Sequence, residues 1–90
     1  MPVPVFTKQF ERDVKLAVRR GKNIELYKHV ASVLIEGGKL DPIYRDHRLV
    51  GSFDGRRECH LESDWLLIYM LDDTRIIFER MGSHADLFKA

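Results

Sequence analysis

The strongest constraint on the fold of this 90-residue chain is an unbroken apolar run, Trp65–Leu71. Turn signals lie on both sides of the run, Ser63-Asp64 before it and Asp72-Asp73 after it. The run is far shorter than the roughly 20 residues that a bilayer requires. A strand that is apolar at every position is buried on both faces. We therefore expect a central strand in a sheet that is covered on both sides.

Other segments carry strand patterns that can surround this central strand. The segment 57–62 alternates: Cys59 and Leu61 face one way, and Glu58, His60 and Glu62 face the other. The last strand is predicted over residues 75–80, with Ile76, Phe78 and Arg80 on one face. A short first strand is expected over 3–6. The segment 47–53 is strand-like, with a bend at Gly51.

Two amphipathic helices are predicted between the first strand and the others. Thr7 is a suitable N-cap for a helix over about residues 8–20, which ends at Gly21. Asn23 caps a second helix with an apolar face at helical spacing, which ends at Gly37-Gly38. The short connection makes the two helices an antiparallel hairpin.

The resulting order, β-α-α-β-β-β, predicts an α+β fold. We expect the helical hairpin to pack on one face of a mostly antiparallel four-stranded sheet. Residues 1–90 are expected to form one domain. A short helical or irregular tail is expected from Gly82-Ser83 onward.

The net charge of +1 hides an asymmetry between the two halves of the chain. Residues 1–43 carry eight Lys and Arg against five Asp and Glu, whereas residues 44–90 carry seven against nine. The basic helical half is therefore a candidate surface for a polyanion or an acidic partner, or else an ordinary solvated face. The single cysteine, Cys59, excludes an internal disulfide and suits a reducing cytoplasm. No signal peptide or membrane segment is recognised.

Polar and titratable side chains collect where the strand patterns stop. They are His47, His60, Asp64, Arg80 and His84, with the aromatic residues Trp65 and Phe88. RNA can be cleaved by its own 2′-OH, given a base for that hydroxyl, a cation for the phosphate and an acid for the departing 5′ oxygen. Histidine suits both proton roles, arginine grips phosphate oxygens, and an aromatic ring can hold a base. The composition of this set therefore predicts an RNA-cleaving site.

Each of these residues also has a purely structural explanation. The histidines can be surface or helix-cap residues, Asp64 can be a turn acid, and Trp65 and Phe88 can belong to the core. A zinc site built from the three histidines is a weakly signalled alternative, because no metal-ligand spacing such as CxxC or HExxH is present. We therefore expect neither a metal nor another cofactor.

Four blocks of this sequence resemble the YafQ family of bacterial toxins, within the wider RelE/ParE superfamily. They are Tyr44 to Leu49, Gly55 to Leu61, Asp64 to Tyr69, and Arg80 to Phe88. The resemblance covers nearly the whole chain. Three positions depart from the family pattern: Ser63 in place of an expected proline, Met81 in place of a threonine, and Ala85 in place of a small hydroxyl residue. None of these departures removes a titratable group.

The resemblance implies a RelE-like fold and an endonuclease that cuts translated mRNA in the ribosomal A site. It also implies a bacterial, cytoplasmic toxin silenced by a cognate antitoxin, with operator DNA bound only through the toxin–antitoxin complex. The family's catalytic histidines fall on His47, His60 and His84. Its acid falls on Asp64, its phosphate-gripping arginine on Arg80, and its aromatic residue on Phe88, with Trp65 beside the acid. Two alternatives remain: a non-enzymatic ParE-like toxin that binds a topoisomerase, and a plain nucleic-acid or metal-binding module.

Overall fold

A computed structural model describes residues 2–88 of the chain. The elements in chain order are β1 (Val3–Phe6), α1 (Lys8–Arg19), α2 (Ile24–Ile35), β2 (His47–Arg48), β3 (Arg57–Glu62), β4 (Trp65–Leu71), β5 (Arg75–Gly82) and α3 (His84–Phe88). The predicted α+β class is confirmed, and the expected tail is a helix. No helix in this part of the chain is long and apolar enough to cross a membrane.

The sheet has five strands, not the four predicted, in the order β1-β5-β4-β3-β2. β1 runs parallel to β5, and the other neighbours are antiparallel. The extra strand is β2, in which His47 pairs with Glu58 and Arg48 with Arg57. It is only two residues long because the chain turns at Gly51, whose φ is +72°, into the 3₁₀ turn Gly51–Phe53. The predicted strand-like segment is thus a short edge strand followed by a turn.

β4 lies at the centre of the sheet and is covered on both faces, as its apolar sequence predicts. Trp65, Leu67 and Tyr69 belong to the main core under the helices. Leu66 and Ile68 form a second cluster, which is closed by Leu87 of α3 and by Leu49 and Phe53. The hydrophobic face opposite the helical hairpin is therefore covered by short C-terminal and loop segments. Two of the candidate site residues border this second cluster, because His60 pairs with Leu66 and Arg80 pairs with Ile68.

A β-bulge interrupts the pairing of β4 with β5 and changes which residues share a face. Tyr69 pairs with Phe78, but the next pair is Ile68 with Arg80, so Glu79 is the extra residue. Arg80 therefore lies beside Ile68 of the second cluster, not on the face of Phe78 as predicted. Met81 takes the place in the main core that the alternating pattern assigned to Arg80. Strict alternation failed here because a bulge shifts the side-chain phase by one residue.

Candidate active site

The fold brings the three predicted catalytic histidines together at one end of the sheet. His47 comes from β2, His60 from β3 and His84 from the start of α3. The His60 ring lies 6.1 Å from the His47 ring and 5.8 Å from the His84 ring, measured between centroids. The row of three imidazoles exists because β3 pairs with β4, and β4 pairs with the end of β5 from which α3 begins.

A buried carboxylate, Glu58, joins two of these histidines. Its Oε2 lies 3.1 Å from His47 Nε2 and 3.5 Å from His60 Nε2, and its side chain is only 6% exposed. Its second oxygen, Oε1, is buried and accepts no hydrogen bond in the described chain. Buried polar atoms are nearly always paired, so an unpaired carboxylate oxygen marks an acceptor that is ready for a donor. The sequence prediction missed Glu58, although its position two residues before His60 places both on one face of a strand.

The backbone of the preceding loop orients His47. Its Nδ1 lies 2.6 Å from the carbonyl oxygen of Arg45, so Nδ1 carries hydrogen and donates to that carbonyl. Nε2 therefore faces Glu58 Oε2, so the backbone carbonyl holds one ring nitrogen of His47 and the carboxylate lies beside the other. Arg45 itself has left-handed backbone angles, with φ of 50° and ψ of 42°, which an arginine rarely adopts. This unusual backbone angle lies directly beside the candidate site.

Asp64 binds both the backbone and the side chain of His84. One carboxylate oxygen, Oδ1, accepts from the His84 backbone amide at 2.8 Å and lies 2.6 Å from His84 Nδ1. These contacts, the backbone one first, hold the pKa of Asp64 below its usual range. Asp64 is therefore ionised near neutral pH and is a weak base. It fixes His84 with Nδ1 bound and Nε2 directed away, and half of the His84 side chain is exposed.

Arg80 is held by a carboxylate that the sequence prediction did not single out. Its Nε lies 2.9 Å from Asp13 Oδ2 and its Nη2 lies 3.3 Å from Asp13 Oδ1. The same Oδ2 accepts from the Met81 backbone amide at 3.0 Å, at the part of β5 that extends beyond its pairing with β1. The Asp13 side chain is 6% exposed, and that of Arg80 is 31% exposed. Nothing in the sequence distinguishes Asp13 from the other polar residues of α1 or indicates that it pairs with Arg80.

The Asp13–Arg80 contact predicts a large stability effect. Asp13→Ala removes the acceptor of two guanidinium nitrogens and of the Met81 amide in a buried setting. We expect the free energy of unfolding to fall by about 3 kcal/mol, at the low end for buried pairs because Arg80 is partly solvated. The midpoint of urea unfolding measures this change. Glu25→Ala, which removes an exposed partner of Lys28, is the matched control and should shift the midpoint little. Equal midpoints for both variants would contradict the structural role of Asp13.

The two aromatic candidates have different environments. Trp65 is 2% exposed and packs in the main core, with Lys22 Nζ 5.8 Å from its ring centroid. Its ring offers no free face to a nucleobase, so the structure does not support the predicted substrate contact at Trp65. Phe88 is 39% exposed, meets Phe53 edge-on at 5.4 Å and lies 6.3 Å from the His84 ring. Phe88 is thus the aromatic side chain available for stacking.

One set of side chains could hold a metal ion. Within residues 2–88, His47, Glu58 and His60 each offer a ligand atom, and these atoms lie within 4.8 Å of one another. Two imidazoles and one carboxylate suit zinc or copper. The set differs from the three histidines considered from the sequence, because Glu58 takes the place of His84. Cys59 is buried on the other face, and burial raises its pKa to about 12, so its thiol is neither a ligand nor a nucleophile here.

Comparisons with known proteins place the chain in one family of bacterial toxins. The family described as bacterial toxin of type II toxin-antitoxin system, YafQ, matches residues 3–89. The mRNA interferase toxin YafQ of Escherichia coli strain K12 is 44% identical over 84 residues, covering 92% of this chain and 91% of that protein. A chain of the E. coli DinJ–YafQ complex matches with a TM-score of 0.92 at 42% identity, covering 98% of this chain and 99% of that chain. A metal-bound toxin from Helicobacter pylori matches with a TM-score of 0.91 at 36% identity, covering 98% of this chain and 100% of that chain.

Proposed function

The chain belongs to the YafQ family of toxins of type II toxin–antitoxin systems, and we propose that it is a ribosome-dependent endoribonuclease that cuts translated mRNA in the A site. The observation that carries this proposal is the row of three histidines flanked by two carboxylates, Glu58 and Asp64. A topoisomerase-binding toxin of the ParE kind has no use for this arrangement. Relatives of this chain that are named mRNA interferases support RNA cleavage as the class of reaction.

The nucleophile in the proposed reaction is the 2′-OH of the substrate. His60 lies between the other two imidazoles and contacts Glu58, which is positioned to accept its proton. The pair His60–Glu58 is therefore the proposed base, and His47 assists by sharing the same carboxylate oxygen. The 2′ oxygen bonds to phosphorus, and the bond from phosphorus to the 5′ oxygen breaks.

The leaving 5′ oxygen needs a proton, and His84 is the proposed acid. Asp64 holds its Nδ1, so the exposed Nε2 is the atom that can deliver the proton. Arg80 neutralises the charge that builds on the phosphate. Asp13 occupies Nε and Nη2 of Arg80, so Nη1, which donates to no residue in the described part of the chain, is left for a phosphate oxygen. Phe88 stacks on a base beside the cut.

The proposed dependence on the ribosome follows from charge. A net charge of +1 gives little autonomous affinity for RNA, whose binding relies on neutralising phosphates. In this proposal the ribosome presents the message and supplies that affinity, which places the toxin in the bacterial cytoplasm. The purified chain should therefore cut a message on ribosomes with a vacant A site and leave the same message uncut when it is naked. Primer extension across the message measures both. Equal cutting of naked RNA would contradict ribosome dependence.

The same assay has an arm that tests the metal. We propose that histidine and arginine do the work without a metal, although a relative from H. pylori is described as metal-bound. Cutting should continue when a zinc- and copper-specific chelator is present and magnesium is kept high enough to preserve the ribosome. Loss of cutting that returns on adding zinc or copper would assign a catalytic metal to His47, Glu58 and His60.

The proposed partner is a cognate antitoxin, because this fold matches the toxin of the E. coli DinJ–YafQ complex. The basic residues of α1 further suggest that the antitoxin binds through an acidic segment. We propose that the segment covers the solvent face of α1. The cations of that face are Lys8, Arg12, Lys15 and Arg19, all exposed and spaced by four, three and four residues. Operator DNA is then bound through the complex, not by this chain alone.

Charge reversal tests this surface. Lys15→Glu with Arg19→Glu should weaken the complex with the antitoxin about tenfold or more at low salt and much less at high salt, because screening removes surface attraction. Arg20, although basic, is a poor probe because it is bound to Asp86. Lys28→Glu on α2 is the control and should leave the dissociation constant unchanged. Titration calorimetry at two salt concentrations measures the effect. If the affinity is unchanged at both salt concentrations, the basic face of α1 does not bind the antitoxin and is an ordinary solvated surface.

A further inference from the structure

Helix α3 is too short to be stable by itself, yet it carries two of the proposed site residues. It spans His84–Phe88, with His84 at its first position and Phe88 at its last. A helix of five residues does not form in isolation, because the entropy lost in nucleation exceeds the free energy gained from the few hydrogen bonds of one turn. Something outside the helix must therefore fix its direction. Only Leu87 of this helix is buried in the sheet's second cluster.

Asp86 and Ser83 close a reciprocal cap on the first turn of α3. The Ser83 amide donates to Asp86 Oδ2 at 3.0 Å, and the Asp86 amide donates to Ser83 Oγ at 3.1 Å. This pattern satisfies two amides that a helix start leaves without partners. Gly82 is required beside it, because a Cβ there would lie 2.9 Å from Asp86 Cβ and 3.0 Å from its Oδ2.

A residue of α1's C-terminal end holds the same carboxylate. Arg20 Nη1 lies 2.7 Å from Asp86 Oδ2, and its Nη2 lies 3.4 Å from Oδ1. The Arg20 contact and the Ser83 amide lower the pKa of Asp86 to about 2. The carboxylate is therefore ionised at any pH at which ribosomes work. The mechanism above makes no use of Arg20, Gly82 or Asp86.

We propose that Asp86, held by Arg20, is a positioning residue that fixes the first turn of α3 and so keeps His84 on Asp64 with Nε2 free to deliver a proton. This inference rests on the proposed endonuclease function. The His84–Asp64 contact cannot hold the turn alone, because both side chains are more than half exposed and water competes for them. Asp86 ties the same turn to Arg20, the residue that follows α1.

The role differs from a simple contribution to stability. The Arg20 side chain is 43% exposed, and exposed ion pairs contribute little to the stability of a whole domain. The effect of losing the contact should therefore be local to α3. It should reduce the rate of the chemical step, with the substrate affinity and the global unfolding midpoint nearly unchanged.

The experiment measures single-turnover cutting of ribosome-bound message across a range of ribosome concentrations, together with hydrogen exchange of the His84 amide. Asp86→Ala should lower the maximal rate about tenfold, which corresponds to a rise of about 1.4 kcal/mol in the activation free energy. The half-saturating concentration should change less than twofold. The His84 amide should exchange faster by a similar factor, because its bond to Asp64 opens more often.

Three more variants separate the parts of the arrangement. Asp86→Asn keeps the cap and loses the charge, so it should fall between Asp86→Ala and the parent. Gly82→Ala displaces Asp86 without removing it and should resemble Asp86→Ala. Arg20→Ala should slow the maximal rate about threefold, and Arg20→Lys should restore most of it. Arg75→Ala removes an exposed arginine–carboxylate pair at the start of β5 and should leave the rate and exchange unchanged.

Two outcomes would overturn the proposal. One is an unchanged maximal rate and an unchanged His84 exchange in both Asp86→Ala and Gly82→Ala. The other is a fall in the unfolding midpoint that accounts for the whole loss of activity. If the parent chain cuts no message at all, the proposed endonuclease function is wrong. The exchange of the His84 amide in the variants then still tests whether Asp86 and Arg20 hold α3.

Discussion

A message that carries 2′-deoxyribose immediately before the scissile phosphate should bind the toxin–ribosome complex nearly as well as ordinary RNA and should resist cutting. The reason is that the proposed site, within residues 2–88, combines histidines and carboxylates with no accessible thiol, so the attacking group must come from the substrate. Cys59 is buried with a raised pKa, and the roles proposed for the three clustered histidines are proton transfers. Removing the attacking hydroxyl should cost more than the roughly 10⁴-fold that loss of one proton-transfer group can cost. Single-turnover cutting of the two messages measures the difference.

The ends of the products test the same chemistry. The upstream fragment should end in a 2′,3′-cyclic phosphate or its opened 3′-phosphate, and the downstream fragment should begin with a 5′-OH. A message with the 2′-deoxy sugar one nucleotide further downstream is the control and should be cut normally. Fragments with 3′-OH and 5′-phosphate ends would mean that an activated water attacks instead. The set His47, Glu58 and His60 would then be the place to look for a metal that activates it.

Much of the fold could be predicted because its signals are local. The run Trp65–Leu71 is apolar at every position and forms the central strand. Thr7 caps α1 by accepting from the Phe10 amide at 2.9 Å, as its position before the helix predicted. Asn23 also marks the start of α2, although its side chain makes no capping hydrogen bond. These elements depend on periodicity and caps, which neighbouring residues determine.

The parts that could not be predicted depend on contacts between distant segments. The bulge at Glu79 moves Arg80 to the other face, and nothing near Arg80 in the sequence announces it. Asp13 holds Arg80 from 67 residues away, and Arg20 holds Asp86 from 66 residues away. The histidines were found because a titratable residue at a strand end stands out from an apolar pattern. Glu58 was missed because an acid within an alternating strand is typical of a solvated face.

Replacement of the proposed acid should nearly abolish cutting without unfolding the chain. His84→Gln keeps an amide of similar size at the first position of α3 but cannot deliver a proton. We expect the maximal cutting rate to fall by about 10²–10⁴, the range for loss of a general acid. The side chain of His84 is half exposed, so the free energy of unfolding should change by less than about 0.5 kcal/mol. Single-turnover cutting and urea unfolding measure the two quantities.

The control for His84→Gln is His29→Gln, because His29 is an exposed histidine of α2 that contacts none of the site. Its rate should equal that of the parent chain. The identity of the acid can be tested further with a message whose 5′ leaving oxygen is replaced by sulfur. Sulfur leaves without a proton, so the defect of His84→Gln should largely disappear on this message if His84 is the acid. An equal defect on both messages would instead give His84 a role in holding the substrate, and the proton would have to come from His47 or His60.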